Sequence, residues 1–572
     1  MKKLFAHLSH YKKECILAPL LKCLEALVDL FVPLCMANLV DIGIKNNDTG
    51  YIFKIGVALL LLALGGLVLS VIAQYFAAKA ATGVASDLRH ALFAHIQSLS
   101  FQTQDTLGTD TLITRLTSDI NQTQTGINMA LRLLLRSPFI VFGAMIMAFR
   151  VDAPSAVTFA ITIPVLAVIV YGIMWITVPL YKKVQQRLDK VVGSTRQNLT
   201  GVRVIRAFNL EDSETEEFHA SNEALTAANV HVGRFSALTN PLTLVVVNLA
   251  AAYLLYIGAI RVDAGELSQG QVIALLNYMA QILVELVKLA NLIITITKAV
   301  SSAGRIETIL NTEPGMQDGT DTQAPADNSV VFDNVSFEYA GGGDEVLTDI
   351  SFEAAPGQTI GIIGGTGSGK SSLVNLIPRF YDVTSGRLLV GGKEVQSYDL
   401  QTLRGSIGAV LQKAVLFKGT IRENLAFGNE SATEADMWDA INAAQAAEFV
   451  NQKGLDFELE QGGKNLSGGQ RQRLGIARAL VRKPGILILD DSASALDFAT
   501  DAALRKAIHA LPYHPTIFIV SQRVASIMYA DEILVLQDGM LVGRGKHDEL
   551  LQTCETYRDI CKSQFKEEEV KA

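Results

Sequence analysis

The sequence predicts two fold classes in tandem: an all-α transmembrane domain of six long helices, then an α/β domain organised around a P-loop. Three observations carry this. The chain of 572 residues is 49% hydrophobic and only 19% charged. Its apolar residues come in long runs up to about residue 300 and in short strand-like and helix-like segments beyond about 328. A strand-like run, Thr359–Ile363, leads into Gly364-Gly365-Thr366-Gly367-Ser368-Gly369-Lys370-Ser371 and then into an apolar helix, Leu373–Ile377. The expected boundaries are 1–310 for the membrane domain, 311–328 for a polar linker bearing Gly and Pro, and 329–572 for the α/β domain.

In chain order, the first expected element is an interfacial helix, because Leu4, Phe5, Leu8 and Tyr11 share a helical face. Lys2, Lys3, Lys12 and Lys13 precede an apolar stretch too long for the core of a cleavable signal, so none is expected. Six spans of about 20 apolar residues then match the thickness of a bilayer core. They lie near Cys15–Leu39, Ile55–Ala77, Leu133–Met147, Ala156–Pro179, Leu242–Ile260 and Val272–Thr297, the third being the weakest by hydropathy. The first, third and fifth loops are short. The second and fourth are long and basic, with Lys182, Lys183, Arg187, Lys190, Arg203 and Arg206, so the positive-inside rule places both long loops, both termini and the α/β domain in the cytoplasm. Cys15, Cys23, Cys35, Cys554 and Cys561 include no CxxC pair, which argues against a disulfide framework or a zinc site.

Two spans carry polar stripes. The first has Lys22, Glu25 and Asp29 on one face; the sixth has Asn277, Gln281, Glu285, Lys288 and Asn291. Polar groups in a span are costly and face a cavity or a partner helix. A wet cavity with an acidic bias from Asp29 would suit cationic amphiphiles; local pairing of Lys22 with Glu25 and of Glu285 with Lys288 would explain the same stripes without one.

The α/β half carries the chemistry. GxxxxGK[ST] stands in its required strand–loop–helix context. Glycines let backbone N–H groups curl around phosphates, and the helix start adds a favourable dipole. Lys370 would neutralise phosphate charge, Ser371 would ligate magnesium, and Ser372 extends the binding stretch. Asn465-Leu466-Ser467-Gly468-Gly469-Gln470 opens a second helix of anion-binding type. Gln412 follows the strand-like Ile407–Leu411. Asp490-Asp491-Ser492 ends the apolar run Ile486–Leu489, as a strand does when it delivers a carboxylate to a magnesium–nucleotide site. Ser494-Ala495-Leu496-Asp497 follows that pair, and Tyr339 lies near the start of the domain.

In this order and spacing the segments resemble the ATP-binding cassette (ABC) family, and the six-span half resembles its exporter half-transporters of the type I exporter fold. In the first long loop Gly108, Leu112, Arg115, Leu116 and Asp119 look like the exporter pattern. In the second, Gly201–Phe208 looks like the coupling-helix segment that docks on a nucleotide-binding domain. The resemblance implies ATP and Mg2+ as ligands. Tyr339 would stack on adenine, Gln412 would sense the γ-phosphate and magnesium, and Asp490 would hold magnesium through water. Ser467, Gly468, Gly469 and Gln470 would close on ATP held by another subunit. The resemblance also implies a multi-pass protein of the cell membrane, working in a lipid bilayer with a second half-transporter on a small amphipathic substrate. No nucleic-acid partner is expected. The half-size chain points to a bacterial source.

Two positions depart from the family pattern. Asp491 stands where a catalytic glutamate belongs, and Gln522 where a histidine belongs. A missing methylene withdraws the carboxylate by about 1.5 Å, and a misplacement of about 1 Å costs on the order of 100-fold in rate. Glutamine can donate a hydrogen bond but cannot carry a proton's charge as histidine does. With Gln412, these are the expected catalytic positions of a slow site. The intact signature would complete a competent site on a different chain, so a heterodimeric exporter is expected. The alternatives are a homodimeric lipid or peptide exporter, an exporter-fold importer of a metal chelate, and an ATP-gated regulatory subunit.

Overall fold

The structure is a computed structural model that describes residues 6–339 and 345–565. It divides into two compact units: Met1–Gln97 with Asp110–Thr312, and Ser98–Thr109 with Glu313–Ala572.

The described part of the first unit is helical. Its main elements are α1 (Lys12–Asn38), α2 (Thr49–Ser98), then, past the short α3 (Phe101–Leu107) of the other unit, α4 (Thr109–Thr114), α5 (Ile120–Leu133), α6 (Arg136–Val151), α7 (Ala153–Thr200), α8 (Val202–Ala207), α9 (Glu211–Ala237), α10 (Thr239–Asp263) and α11 (Gln269–Asn311). Five helical stretches are long and apolar enough to cross a membrane: Thr49–Ser98, Thr109–Val151, Ala153–Thr200, Glu211–Asp263 and Gln269–Asn311. The expected first span is not among them. It forms a 27-residue helix, but Lys22, Glu25 and Asp29 interrupt its apolar character near the middle. The expected third span, Leu133–Met147, contains a turn at Leu134 and Leu135, with α6 starting at Arg136. Pro138 has no N–H to give to the Leu134 carbonyl, which explains the break. Of the proposed interfacial face, Leu4 and Phe5 lie outside the described residues. Leu8 ends a short helical turn, and the Tyr11 ring sits where a Cβ on Gly83 would come within 2.3 Å of it.

Small residues set the helix crossings. A Cβ on Gly126 of α5 would fall 2.1 Å from the Ala299 Cβ of α11, and one on Gly143 of α6 would fall 2.4 Å from Leu30 of α1. Between them lies a core of Leu30, Val141, Ala144, Phe159, Leu254, Met279 and Ile282, in which the buried Tyr278 hydroxyl donates to the Leu30 carbonyl at 2.7 Å. Helix ends are capped from the sequence. Asp152 accepts from the Ser155 amide at 3.0 Å and pairs with Arg261 at 3.0 Å. Ser268 and Gln271 form a capping box at the start of α11, and Asp41 accepts from both Ser268 and the Gly270 amide.

The two polar stripes meet within this unit. Lys22 pairs with Glu25 at 2.5 Å and Lys288 with Glu285 at 2.8 Å, so the local pairs form. Arg136 of α6, absent from both sequence stripes, joins them: its guanidinium reaches Asp29 at 2.9 Å, Glu285 at 2.8 Å and Glu25 at 3.7 Å. The acidic bias expected from Asp29 is therefore cancelled, because a helix start distant in sequence supplies the missing cation.

The second unit is built on two larger sheets. The strands are β1 (Val330–Phe337), β2 (Leu347–Ala354), β3 (Thr359–Gly364), β4 (Ser385–Val390), β5 (Lys393–Glu394), β6 (Ile407–Val410), β7 (Gly419–Thr420), β8 (Glu458–Leu459), β9 (Ile486–Asp490), β10 (Thr516–Val520), β11 (Glu532–Gln537) and β12 (Met540–Gly545). One sheet runs β2-β1-β4-β5 and is antiparallel; the other runs β12-β11-β3-β10-β9-β6, parallel but for β12. The wholly buried Ile486–Asp490 run, and Thr359–Gly364, buried beyond its half-exposed first residue, lie inside that parallel sheet, as continuous apolar strands do.

The stretch read as a linker is held to this unit: Asp321 pairs with Lys393 at 2.6 Å and its amide donates to the Ser397 carbonyl at 3.0 Å. So is α3, a short helix within the second loop. Ser100 caps its start, Phe101 packs on Phe380 with ring centroids 4.7 Å apart, and the Arg404 guanidinium lies over both rings.

Candidate nucleotide site

Four parallel strands aim their carboxyl ends at one place, the position where open α/β sheets bind ligands. β3 runs into the P-loop and α12 (Lys370–Leu376), β10 into Gln522, β9 into Asp490 and Asp491, and β6 towards Gln412. The result is a pocket of about 300 Å³ lined by Thr366, Gly367, Gly369, Lys370, Ser371, Ser372, Gln412, Asp490, Asp491 and Gln522, with Val346 and Val520.

The loop's glycines have separate reasons. A Cβ on Gly364 would come 2.1 Å from the Leu536 carbonyl of the adjacent strand. Gly369 has φ +93°, left-handed, at the start of α12, a conformation glycine adopts without steric cost. Lys370 is held by the loop itself: its ammonium donates to the Gly364 carbonyl at 3.0 Å and the Gly365 carbonyl at 2.6 Å, and lies 3.4 Å from the Ser368 hydroxyl. Burial lowers its pKa, and the Asp490 and Asp491 charges oppose that shift.

The Ser371 hydroxyl donates to Asp490 at 3.0 Å, which puts a hydroxyl and a carboxylate side by side. That is the oxygen set a hard divalent cation prefers, next to a loop built for phosphate, so the residues present fit magnesium and a nucleotide. Asp490 is pushed above the ordinary carboxylate range by burial first, with Ser371 opposing and the Asp491 charge adding to it. Asp491 is likewise raised by burial, opposed by a hydrogen bond from Gln412 and by the Arg523 charge. Its backbone is left-handed, φ +45°, with its amide donating to the Val520 carbonyl at 2.9 Å. Aspartate tolerates that region better than most L residues.

Tyr339 does not line the pocket. It is tied to the rim by a hydrogen bond with the Ser372 hydroxyl at 2.9 Å, and its ring meets Tyr381 edge-on at 5.1 Å. Nor do Ser467, Gly468, Gly469 and Gln470 line it. They open α13 (Gly468–Leu480) with a capping box in which the Gln470 amide donates to the Ser467 hydroxyl at 3.3 Å. The structure thus assembles P-loop, Gln412, Asp490, Asp491 and Gln522 and leaves the signature motif apart from them.

Two residues with structural influence on this site were missed. Gln472, buried on α13, donates to Ser494 at 3.2 Å and accepts from the Ala495 amide at 3.1 Å. Arg523 donates to the Leu496 and Ser494 carbonyls at 3.2 and 3.0 Å and lies over the Phe498 ring. Together they hold the loop that follows Asp491. A polar residue on a helix and an arginine after a strand give no local sign of such a role.

Comparison with known proteins agrees with this geometry. Residues 15–286 match the family model "ABC transporter transmembrane region" and residues 347–494 the model "ABC transporter". An uncharacterized ABC transporter ATP-binding protein of Mycobacterium tuberculosis is 37% identical over 565 residues, 98% of this chain and 97% of the relative. The ATP-dependent lipid A-core flippase of Desulfotalea psychrophila is 34% identical over 82% of each chain. A solved structure of a bacterial Atm1-family ABC exporter with ATP bound superposes with a TM-score of 0.80 at 25% identity, covering 98% of both chains.

Proposed function

This chain belongs to the ABC transporter family, as an exporter with fused membrane and ATP-binding domains, and from that premise we propose that its own nucleotide site is a slow one and that its signature motif serves a different partner chain. The observation that carries the reading is the membership of one pocket. Asp491 and Gln522 share it with Lys370, Ser371 and Asp490, whereas Ser467–Gln470 do not.

The residues of the pocket divide the work. Loop amides and Lys370 bind and orient the phosphates. Ser371, Asp490 and Gln412 would hold magnesium, which when bound neutralises charge on the transferring phosphoryl group. Asp491 would orient a water, but its short side chain is further restrained by the left-handed backbone and by Gln412. Gln522 can donate to a phosphate oxygen without changing charge. ATP binding is retained and hydrolysis is slow. The exposed Val202, Val204 and Phe208 around α8 offer an apolar surface to a second subunit, in keeping with the coupling-segment pattern.

The transported compound is proposed to be amphipathic and exported; the relatives include a lipid flippase. Purification of the chain alone, and together with a half-transporter from the adjacent reading frame, tests the pairing. The single chain is expected to bind ATP and turn it over slowly, and the pair briskly. Brisk turnover by the single chain would overturn the heterodimer and favour a homodimer. ATP-driven uptake into inside-out vesicles tests the direction.

A further inference from the structure

Six ionisable side chains cluster where α1, α6 and α11 meet: Lys22, Glu25 and Asp29, Arg136, and Glu285 and Lys288. They comprise three cations and three carboxylates, so the cluster is neutral as a whole. Glu285 is fully engaged, with Arg136 and Lys288 on one oxygen and the Ser137 hydroxyl donating to the other at 2.7 Å. Lys22 also reaches the Ser70 hydroxyl of α2 at 2.9 Å.

The cluster borders a cavity of about 520 Å³ inside the membrane unit. Its other walls are apolar, with Val32, Pro33, Met36, Ile140 and Val284, and two amides, Asn277 and Gln281, line it as well. Of the six charged groups, Asp29, Arg136, Glu285 and Lys288 line it, and the six are not equally exposed. Side-chain exposure is 5–12% for Lys22, Glu25, Arg136 and Glu285, but 42% for Asp29 and 44% for Lys288. The accessible pair is thus one carboxylate and one ammonium, each held from behind by a buried partner of opposite sign: Arg136 behind Asp29, Glu285 behind Lys288.

We propose that this cavity recognises a zwitterionic amphiphile, its ammonium group against Asp29, its anionic group against Lys288, and its chain along Val32, Met36, Ile140 and Val284. A net charge inside a membrane protein is expensive unless matched. A guest carrying a single charge would leave the neutral cluster with an unbalanced charge. A zwitterion meets both open groups and keeps the sum at zero. The inference names the substrate class of the exporter reading and rests on it.

The test uses the assembled transporter in lipid nanodiscs and three probes with the same chain: decylphosphocholine, decyltrimethylammonium and decyl sulfate. The zwitterion is expected to bind most tightly. Asp29→Asn should weaken it by about tenfold, through loss of one charge–charge contact with the quaternary ammonium, and should narrow its advantage over decyl sulfate. Lys288→Gln should narrow its advantage over decyltrimethylammonium instead. Asp29→Glu and Lys288→Arg should restore the preference, which a folding defect would not allow. Equal binding of the three probes, or a zwitterion preference indifferent to both neutral variants, would overturn the proposal. ATP-driven vesicle uptake measured in parallel separates the two readings. Charge discrimination without ATP-driven transport rejects the exporter reading alone. Transport of a singly charged amphiphile without any zwitterion preference rejects this inference alone.

Discussion

The Tyr381 hydroxyl donates to the Asp105 carboxylate at 3.0 Å, joining the aromatic group beside the P-loop to the short helix α3. Tyr381 also meets the Tyr339 ring, and Tyr339 shares a hydrogen bond with Ser372, so a continuous series of contacts runs from the pocket rim to α3. Burial, then the Asp105 carboxylate, raises the Tyr381 pKa, which keeps its hydroxyl a donor. In the chain, α3 follows the long α2.

Tyr381→Phe removes the donor and keeps the ring. It should weaken the docking of α3 by about 0.5–1.5 kcal/mol, the net worth of an ordinary hydrogen bond, because the exposed Asp105 carboxylate can turn to water. Hydrogen exchange over Phe101–Leu107 should rise, and stimulation of ATPase by transported compound should fall while ATP affinity holds. Unchanged exchange and stimulation would show that the Phe101–Phe380–Arg404 packing suffices.

Asp491→Glu with Gln522→His restores the side chains whose absence is proposed to make the site slow. Phosphate release by the chain alone should rise by at least about tenfold, since a misplacement near 1 Å can cost on the order of 100-fold. If the rate stays flat, the left-handed backbone at Asp491, rather than its length, sets the limit.

The pH dependence follows from burial of the acidic pair. Both Asp490 and Asp491 are shifted upward, so they take up protons at a higher pH than ordinary carboxylates. Ionised forms are needed to hold magnesium and orient water. As pH falls, turnover should therefore decline before an exposed aspartate, with a pKa near ~3.9, would titrate. Asp491→Asn should lower the rate and remove its part of the acid limb. An acid limb identical in that variant would assign the limb to Asp490.

Packing of the membrane unit is testable by adding single methyl groups. Gly270→Ala would place its Cβ 2.2 Å from the Ala37 carbonyl, beside the Asp41 cap. Overpacking of this kind costs about 1–3 kcal/mol, read as a lower unfolding midpoint in detergent. Gly172→Ala meets nothing within 4 Å and should stabilise α7 by up to about 1 kcal/mol through helix propensity. Equal effects of the two changes would contradict the packing at Gly270.

Much of the site was legible because its signals are local. Gly364–Ser371 is a contiguous motif between a strand and a helix. Asp490 ends an apolar strand. The capping box of Ser467 and Gln470 is a three-residue spacing. What failed to show involves pairs distant in sequence. Arg136 neutralises Asp29 from 107 residues away. Arg523 reaches the Leu496 carbonyl from 27 residues away. Phe101 and Asp105 read as loop residues until Phe380 and Tyr381 are placed against them. The expected first span forms the helix Lys12–Asn38, but its charges depress its hydropathy below that of the five long apolar helices; Lys22 is met by Glu25 and Ser70, and Glu25 and Asp29 by Arg136 of α6.

The sequence by itself determined the order of domains, the P-loop and the acidic strand end, because each depends on short-range spacing and residue chemistry. Only the tertiary structure decided which charges remain open. Convergence of α1, α6 and α11 buries four members of the ionic cluster and leaves Asp29 and Lys288 facing the cavity. Convergence of four strand ends gathers the nucleotide pocket and leaves the signature helix outside it. In both cases the deciding quantity is burial, which depends on which distant segments pack together.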